Sequence, residues 1–330
     1  MRIPSYLSPS QFSLWHRDRE AYYLEQLSES RTPRPIQTKA QAIGSSFDAY
    51  VKSAMFEYLF GHGTNPKFEF ETLFESQVDE SLRDWALENG QYLFECYKIS
   101  GSYNELLSML NQSKYAPQFE WTIKGEVEEV PLLGKPDLRF IHKEGAHILL
   151  DWKVSGYCSK YTTSPVKNYR LLRDGWLGDQ SKTHNTPHKN YEPFHWKGIT
   201  IHKGYLEDCS PGWADQLAMY GWILGEPVGS EDTIVCIDQL VAKPMEPYPK
   251  IRVANQAARI SSGYQKTLME GLKTTWNIIQ SGHIFDDLSR EDSDARCEIL
   301  DRQAQMTFCR SEELAPVQAF LAKQQQIYRF

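Results

Sequence analysis

The residues most able to do chemistry lie in two short stretches, Gly134-Lys135-Pro136-Asp137 and Asp151-Trp152-Lys153. Alternate side chains of a strand share a face, so Asp151 and Lys153 project together while Trp152 packs on the other side. Asp137 starts the neighbouring strand of a hairpin and can approach Asp151. Two carboxylates held together are costly unless a cation lies between them. Hard oxygen ligands of this kind suit magnesium or manganese. A lysine beside them can orient a water and stabilise charge on a phosphate. A metal-activated water and a clamp on a phosphate are what phosphodiester hydrolysis requires. The plainer alternative is a surface hairpin with one salt bridge. The apolar run His147-Ile148-Leu149-Leu150 favours a site, because it puts the charged pair at the end of a buried strand.

The surrounding pattern predicts the elements that must hold these groups. Residues 147–154 form a strand, with Ile148, Leu150, Trp152 and Val154 on its apolar face. Residues 137–141 form its partner across a turn at 142–145, and 119–130 alternate partly as a strand. Ahead of them, Ser8, Pro9 and Gln11 signal the start of a helix over 8–27. Ile43, Phe47, Val51, Ala54 and Tyr58 recur at helical spacing over 41–60. Residues 71–112 read as helical, with Trp85, Leu93, Leu106 and Leu110 as core positions. Residues 155–210 show no clear period. A helix follows at 211–225, a buried strand at 233–241, and helices at about 252–280 and 290–308. The order predicts an α/β fold: a small central mixed β-sheet flanked by helices, with extra N- and C-terminal helices. It reads as a single domain, with a helical part at 1–115, a core at 116–245 and C-terminal helices at 250–330.

At 330 residues the chain can bury a sizeable core. No run of 18 apolar residues suggests a membrane span, and no secretory signal is visible near residue 1. The six cysteines are scattered without a C-x-x-C pair, which favours reduced thiols in a cytoplasm. The net charge of -7 argues against a protein that coats nucleic acid. Its distribution is uneven, however. Between Ser155 and Lys203 eight basic residues face three acidic ones, so this segment is +5 and the remainder -12.

Four stretches, in order, resemble the RecB-type, lambda-exonuclease-like branch of the PD-(D/E)XK nucleases. They are the opening helix from Ser8 to Trp15 followed by Tyr22-Tyr23; Gly44-Ser45-Ser46-Phe47-Asp48; the Asp137…Asp151-Trp152-Lys153 core; and Gln216 with Tyr220 in the helix after Ser210-Pro211. The resemblance spans residues 8–225. It implies a DNA nuclease using magnesium or manganese, with exonuclease or single-strand-processing activity in phage or bacterial recombination and repair. A helicase or recombination protein is an implied partner. Asp137 and Asp151 would be metal ligands, with the Trp152 carbonyl as a third, and Lys153 the catalytic lysine. Gln216 and Tyr220, four apart on one helical face, would contact DNA or brace the site. The same fold could also serve as a catalytically inactive DNA-binding or assembly module, or act on RNA.

Asp48 stands where this branch usually has histidine. An aspartate can bind magnesium, although Asp48 and Lys52 could instead form an exposed i,i+4 pair. Many relatives hold an iron–sulfur cluster on four cysteines; here Arg17-Asp18-Arg19-Glu20 occupies the place of the first, and no cluster is expected. His184 and His188 are four apart, but Pro187 works against a shared helical face and no standard zinc set is completed. The basic segment also interleaves aromatics with its cations. Lys182, Lys189, Trp196 and Lys197 are therefore expected to bind DNA, charge to the backbone and rings to the bases.

Overall fold

The strand that carries Asp151 lies inside the sheet rather than at its edge. In the computed structural model, residues 1–30, 36–155, 170–173, 176–177, 193–241 and 251–306 are described, together with 316, 319 and 323. Seven strands form the main sheet: β1 (Gln118–Phe119), β4 (Leu138–Ile141), β5 (His147–Ser155), β6 (Arg170–Arg173), β7 (Trp176–Leu177), β10 (Thr233–Val241) and β11 (Ile251–Ala258). Their order across the sheet is β1-β4-β5-β10-β11-β6-β7. β5 and β10 run parallel and the other pairs antiparallel, so the sheet is mixed. In β10 every residue after Thr233 is buried, as a central strand covered on both faces requires.

Two compact units make up the chain. The first comprises Met1–Pro35, Lys124–Gly134 and Lys266–Phe330; the second comprises Ile36–Ile123 and Lys135–Gln265. The second holds the sheet with α3 (Lys39–Phe60), α4 (Phe70–Gln77), α5 (Arg83–Ile99), α6 (Ser102–Leu110) and α7 (Pro211–Ile223). Ile148, Leu150 and Trp152 on one face of β5 share a core with Ile43, Phe47 and Val51 of α3 and Leu93 and Tyr97 of α5. On the opposite face Leu149 lies against Gly221 of α7. The fold is therefore α/β, with helices on both sides of the sheet. The two large helices of the first face approach closely. A Cβ at Gly90 would stand 2.0 Å from Ser46 Oγ and 2.5 Å from Ser46 Cβ, so α5 passes α3 only because position 90 has no side chain. A hairpin of β8 (Pro193–Trp196) and β9 (Ile199–His202) adds Ile199 and Ile201 to this core.

The first unit contains α1 (Pro9–Arg17), α2 (Arg19–Tyr22) and a single π turn (Tyr23–Leu27). It also contains most of β2 (Ile123–Val127) with β3 (Val130–Gly134), most of α8 (Ser262–Ser281), and α9 (Arg290–Met306). Ser8 caps α1 in the expected capping box with Gln11. Among the described residues, no helix is long and apolar enough to cross a membrane.

Several boundaries differ from those expected of the sequence. The helix expected over 8–27 breaks at Asp18, whose extended backbone ends α1 and whose side chain caps α2. The helical stretch 71–112 is three helices, separated by extended Val78 and Asp79 and by Gly101 at φ 87°. Trp85 there is only half-buried, while Leu93, Leu106 and Leu110 are core residues. In α3, Tyr58 is exposed. The described parts of 155–210 hold β6 to β9. The helix expected from 252 begins as β11, because Val235 to Val241 of β10 require a hydrogen-bonding neighbour and pair with Arg252 to Ala258. Sheet pairing here overrides the helix preference of an alanine-rich segment.

Candidate functional site

Asp137 lies just ahead of β4, opposite the point where Asp151 leaves the middle of β5. One of its oxygens, Oδ2, accepts the Trp152 backbone N–H at 3.2 Å. In an antiparallel pair a residue directs its N–H and C=O to the same edge, so the Trp152 carbonyl also faces the Asp137 side. Asp151 and Lys153 share the other face of β5 from Trp152, as the period of two requires. The indole N–H of Trp152 instead donates to the Tyr97 hydroxyl at 3.4 Å, within the core.

Gln216 of α7 connects the members of the pair. Its Oε1 accepts Lys153 Nζ at 2.8 Å, and its Nε2 donates to Asp151 Oδ1 at 3.0 Å. The same Nε2 lies 3.1 Å from the Tyr220 hydroxyl, one helical turn on. Gln216 and Tyr220 thus act as a brace behind the carboxylate and the lysine. Asp151 Oδ2 is 2.5 Å from Lys153 Nζ as an ion pair, yet this buried oxygen has no hydrogen bond of good geometry.

Asp48 and Lys52 do form an i,i+4 pair at 2.8 Å, but the lysine is only 3% exposed. The alternative of an exposed pair therefore does not hold, because the Lys52 ammonium is buried among carboxylates that include Asp137. Lys52 Nζ also lies 2.8 Å from Asp137 Oδ1 and 3.2 Å from Glu120 Oε2. The other oxygen of Glu120 pairs with Lys135. Glu120 has φ 35°, a left-handed backbone unusual for a residue with a side chain. Its N–H donates to the Asp137 carbonyl at 3.0 Å, and its own carbonyl accepts Lys67 Nζ at 2.8 Å. Lys52 and Glu120 belong to the site although neither is among the site residues expected from the sequence.

These contacts set the titration of the site. Burial pushes the Asp151 carboxyl up to about 7; Lys153 opposes this and Asp137 adds to it. Burial likewise raises Asp48 to about 6 against the pull of Lys52, with Asp137 adding to the rise. For Asp137 burial also acts upward, but Lys52, Lys153 and the Trp152 N–H outweigh it and hold the carboxyl below its ordinary value. Glu120 is lowered in the same way by Lys52 and Lys135. Burial alone would lower both Lys52 and Lys153, yet the carboxylates around them raise both. The Tyr220 hydroxyl is raised, by burial first and then by Asp151.

The donor set is oxygen: carboxylates, a backbone carbonyl and an amide. That chemistry fits magnesium or manganese, and two carboxyls raised by burial, Asp151 and Asp48, are acids whose charge a bound cation would offset. Among the described residues, no three His, Cys, Asp or Glu side chains form a ready ligand group. Lysine ammonium groups lie between the acids instead.

Two of the other expected contacts, Trp196 and Lys197, lie elsewhere. Trp196 is half-buried at the end of β8, with the Arg259 guanidinium 5.7 Å from its ring centre and Phe194 edge-on. Lys197 begins the turn to β9 at φ 45°, 3.9 Å from Asp232. Among the described residues, neither side chain bonds to the carboxylate cluster. Lys182, Lys189, His184 and His188 lie outside the described residues, as do Cys158 and Cys309.

No protein-family model matches the chain, and no curated protein does. Among solved structures, one described as "Crystal structure of SSO0001" aligns over 79% of this chain and 84% of its own, at 11% identity. Its TM-score of 0.24 is too low to bear on fold or function.

Proposed function

We propose that the chain is a divalent-metal-dependent deoxyribonuclease of the PD-(D/E)XK class. The observation that carries this reading is the convergence of Asp137, Asp151 and Lys153 on the middle of one central strand, braced by Gln216. Asp151, Asp137 and the Trp152 carbonyl would hold the ion, with Asp48 close enough to contribute. The ion, when bound, lowers the pKa of a coordinated water and offsets charge on the phosphate. Lys153 keeps its proton, because its carboxylate neighbours raise its pKa, and is thus a cation at neutral pH that can face a phosphate oxygen. Gln216 fixes the ammonium and Asp151 relative to each other, so the two approach a phosphate in one geometry. Tyr220 supports that amide rather than the acid itself. The substrate would be DNA ends or single strands, processed during recombination or repair with a helicase or recombination partner, in a cytoplasm.

A second reading keeps the fold as a DNA-binding or assembly module without catalysis. The observation favouring it is Lys52, whose ammonium lies among three carboxylates that could otherwise face a metal. One experiment separates the readings. End-labelled single- and double-stranded DNA and RNA are incubated with wild type, Asp151→Asn and Lys153→Ala in magnesium, manganese, calcium or chelator. The nuclease reading expects cleavage of DNA by wild type in magnesium or manganese, little in calcium, and none by either variant. Cleavage in excess chelator, or variants as active as wild type, refutes the site. No cleavage by wild type under any condition leaves the binding module.

A further inference from the structure

One buried lysine of the site, Lys52, takes no part in the proposed chemistry. Resting on the nuclease reading, we infer that Lys52 is a fixed internal cation of the site, so that the site takes one divalent ion rather than two.

Its position points to this first. Lys52 Nζ is in contact with Asp48 Oδ2, Asp137 Oδ1 and Glu120 Oε2 at 2.8, 2.8 and 3.2 Å. An ammonium has three protons to donate, and these three oxygens can take all of them. A second metal bridging Asp48 and Asp137 would have to displace it from the oxygens it neutralises. The position is not a chance of side-chain rotamer. The lysine is 3% exposed, so its ammonium is enclosed by the site rather than held at the surface. Glu120, its third partner, is held by an unusual backbone, a main-chain bond to Asp137 and the Lys67 and Lys135 ammonium groups. Non-glycine residues with such φ persist where surrounding contacts over-determine them.

Charge gives the same answer. Asp48, Glu120, Asp137 and Asp151 are four carboxylates, and Lys52, Lys135 and Lys153 are three ammonium groups. With all four acids ionised, as a bound cation would favour, these ion-paired groups sum to one net negative charge. One divalent ion overshoots by a single charge, which a phosphate can answer; two ions would leave three positive charges in a buried space. The side left for the ion is that of Asp151, whose Oδ2 has the Lys153 ammonium as an ion-pair neighbour but no hydrogen bond of good geometry, with the Trp152 carbonyl on the same strand. Lys52 is then a positioning residue. It holds Asp137 Oδ1 so that Oδ2 stays on the Trp152 N–H whether or not metal is present.

The test counts ions. Manganese binding to wild type and Lys52→Met is titrated by electron paramagnetic resonance of the free ion, beside magnesium-dependent cleavage. The expected result is one manganese per wild-type chain and a second in Lys52→Met, where the emptied carboxylates become available. Lys52→Arg, which keeps the charge, should return the count to one, an outcome that a merely structural lysine would not give. Two ions on cleaving wild type overturn this inference and leave the nuclease reading standing. No ion and no cleavage overturn both. Should Lys52→Met fail to fold, the wild-type count decides alone.

Discussion

Replacing Asp151 by asparagine should stabilise the metal-free protein at pH 8 while abolishing the proposed reaction. The carboxyl titrates at about 7 in the folded chain, against an ordinary value of 3.8. Ionising it inside the fold therefore costs about 4 kcal/mol, at about 1.4 kcal/mol per tenfold. The sign follows from proton counts. Between about 3.8 and 7 the folded chain binds more protons at this group than the unfolded chain, so its contribution to stability falls as pH rises. Asparagine has the shape of the protonated acid and no charge to bury. Its carbonyl can still accept Gln216 Nε2, and Lys153 keeps the Gln216 carbonyl. Urea unfolding of both proteins in chelator, at pH 4 and pH 8, isolates this group as the difference between them. The two should be nearly equal at pH 4, and the variant more stable at pH 8 by up to about 4 kcal/mol. Magnesium should then stabilise wild type alone, by about 2.7 kcal/mol at a hundredfold excess over its dissociation constant. A variant less stable than wild type at pH 8 in chelator would refute the reasoning: the Asp151–Lys153 pair would then be a net stabilising interaction and the acid already fully compensated.

Three further outcomes are expected. Gln216→Leu removes a hydrogen bond from each of two charged groups, at about 1.5–3 kcal/mol apiece; a loss under about 0.5 kcal/mol in urea unfolding would mean that water replaces the amide and that it is not a brace. Gly90→Ala forces α5 away from Ser46 of α3 and should cost about 1–3 kcal/mol despite better helix propensity, read as a lower Tm; a gain would contradict the close approach of these helices. Replacing Lys182, Lys189 and Lys197 together with alanine should weaken DNA binding and reduce the slope of log affinity against log salt by about 0.7–0.9 for each phosphate that is no longer neutralised. An unchanged affinity and slope would move the DNA path to the helices carrying Asp48 and Gln216.

What is legible in the sequence follows from how local each feature is. The face of β5 is a period-two pattern within nine residues, so Asp151 and Lys153 on one side and Trp152 on the other can be read directly. Gln216 and Tyr220 are one helical turn apart, and their shared direction is equally readable. The β11 strand is not, because Ala254, Ala257 and Ala258 are good helix formers and only the demand of β10 for a partner makes them a strand. Lys52 does carry a signal, and it points away from an exposed pair. Gly44, Asp48 and Lys52 follow one another at four-residue steps on one helical face. Gly44 lies against Val154 of β5, with its Cβ position 3.7 Å from Val154 Cβ. A face that packs on the sheet at Gly44 cannot point to solvent two turns later, so an aspartate and a lysine on it must be buried and must find partners. Glu120 has no local signal at all. It reaches the cluster through a backbone conformation held by bonds to residues 17 and 53 positions away, and such a placement is a property of the assembled fold. The local motif thus identifies the groups able to bind metal and phosphate, while the long-range partners of Lys52 and Glu120 determine how much charge the site can still accept.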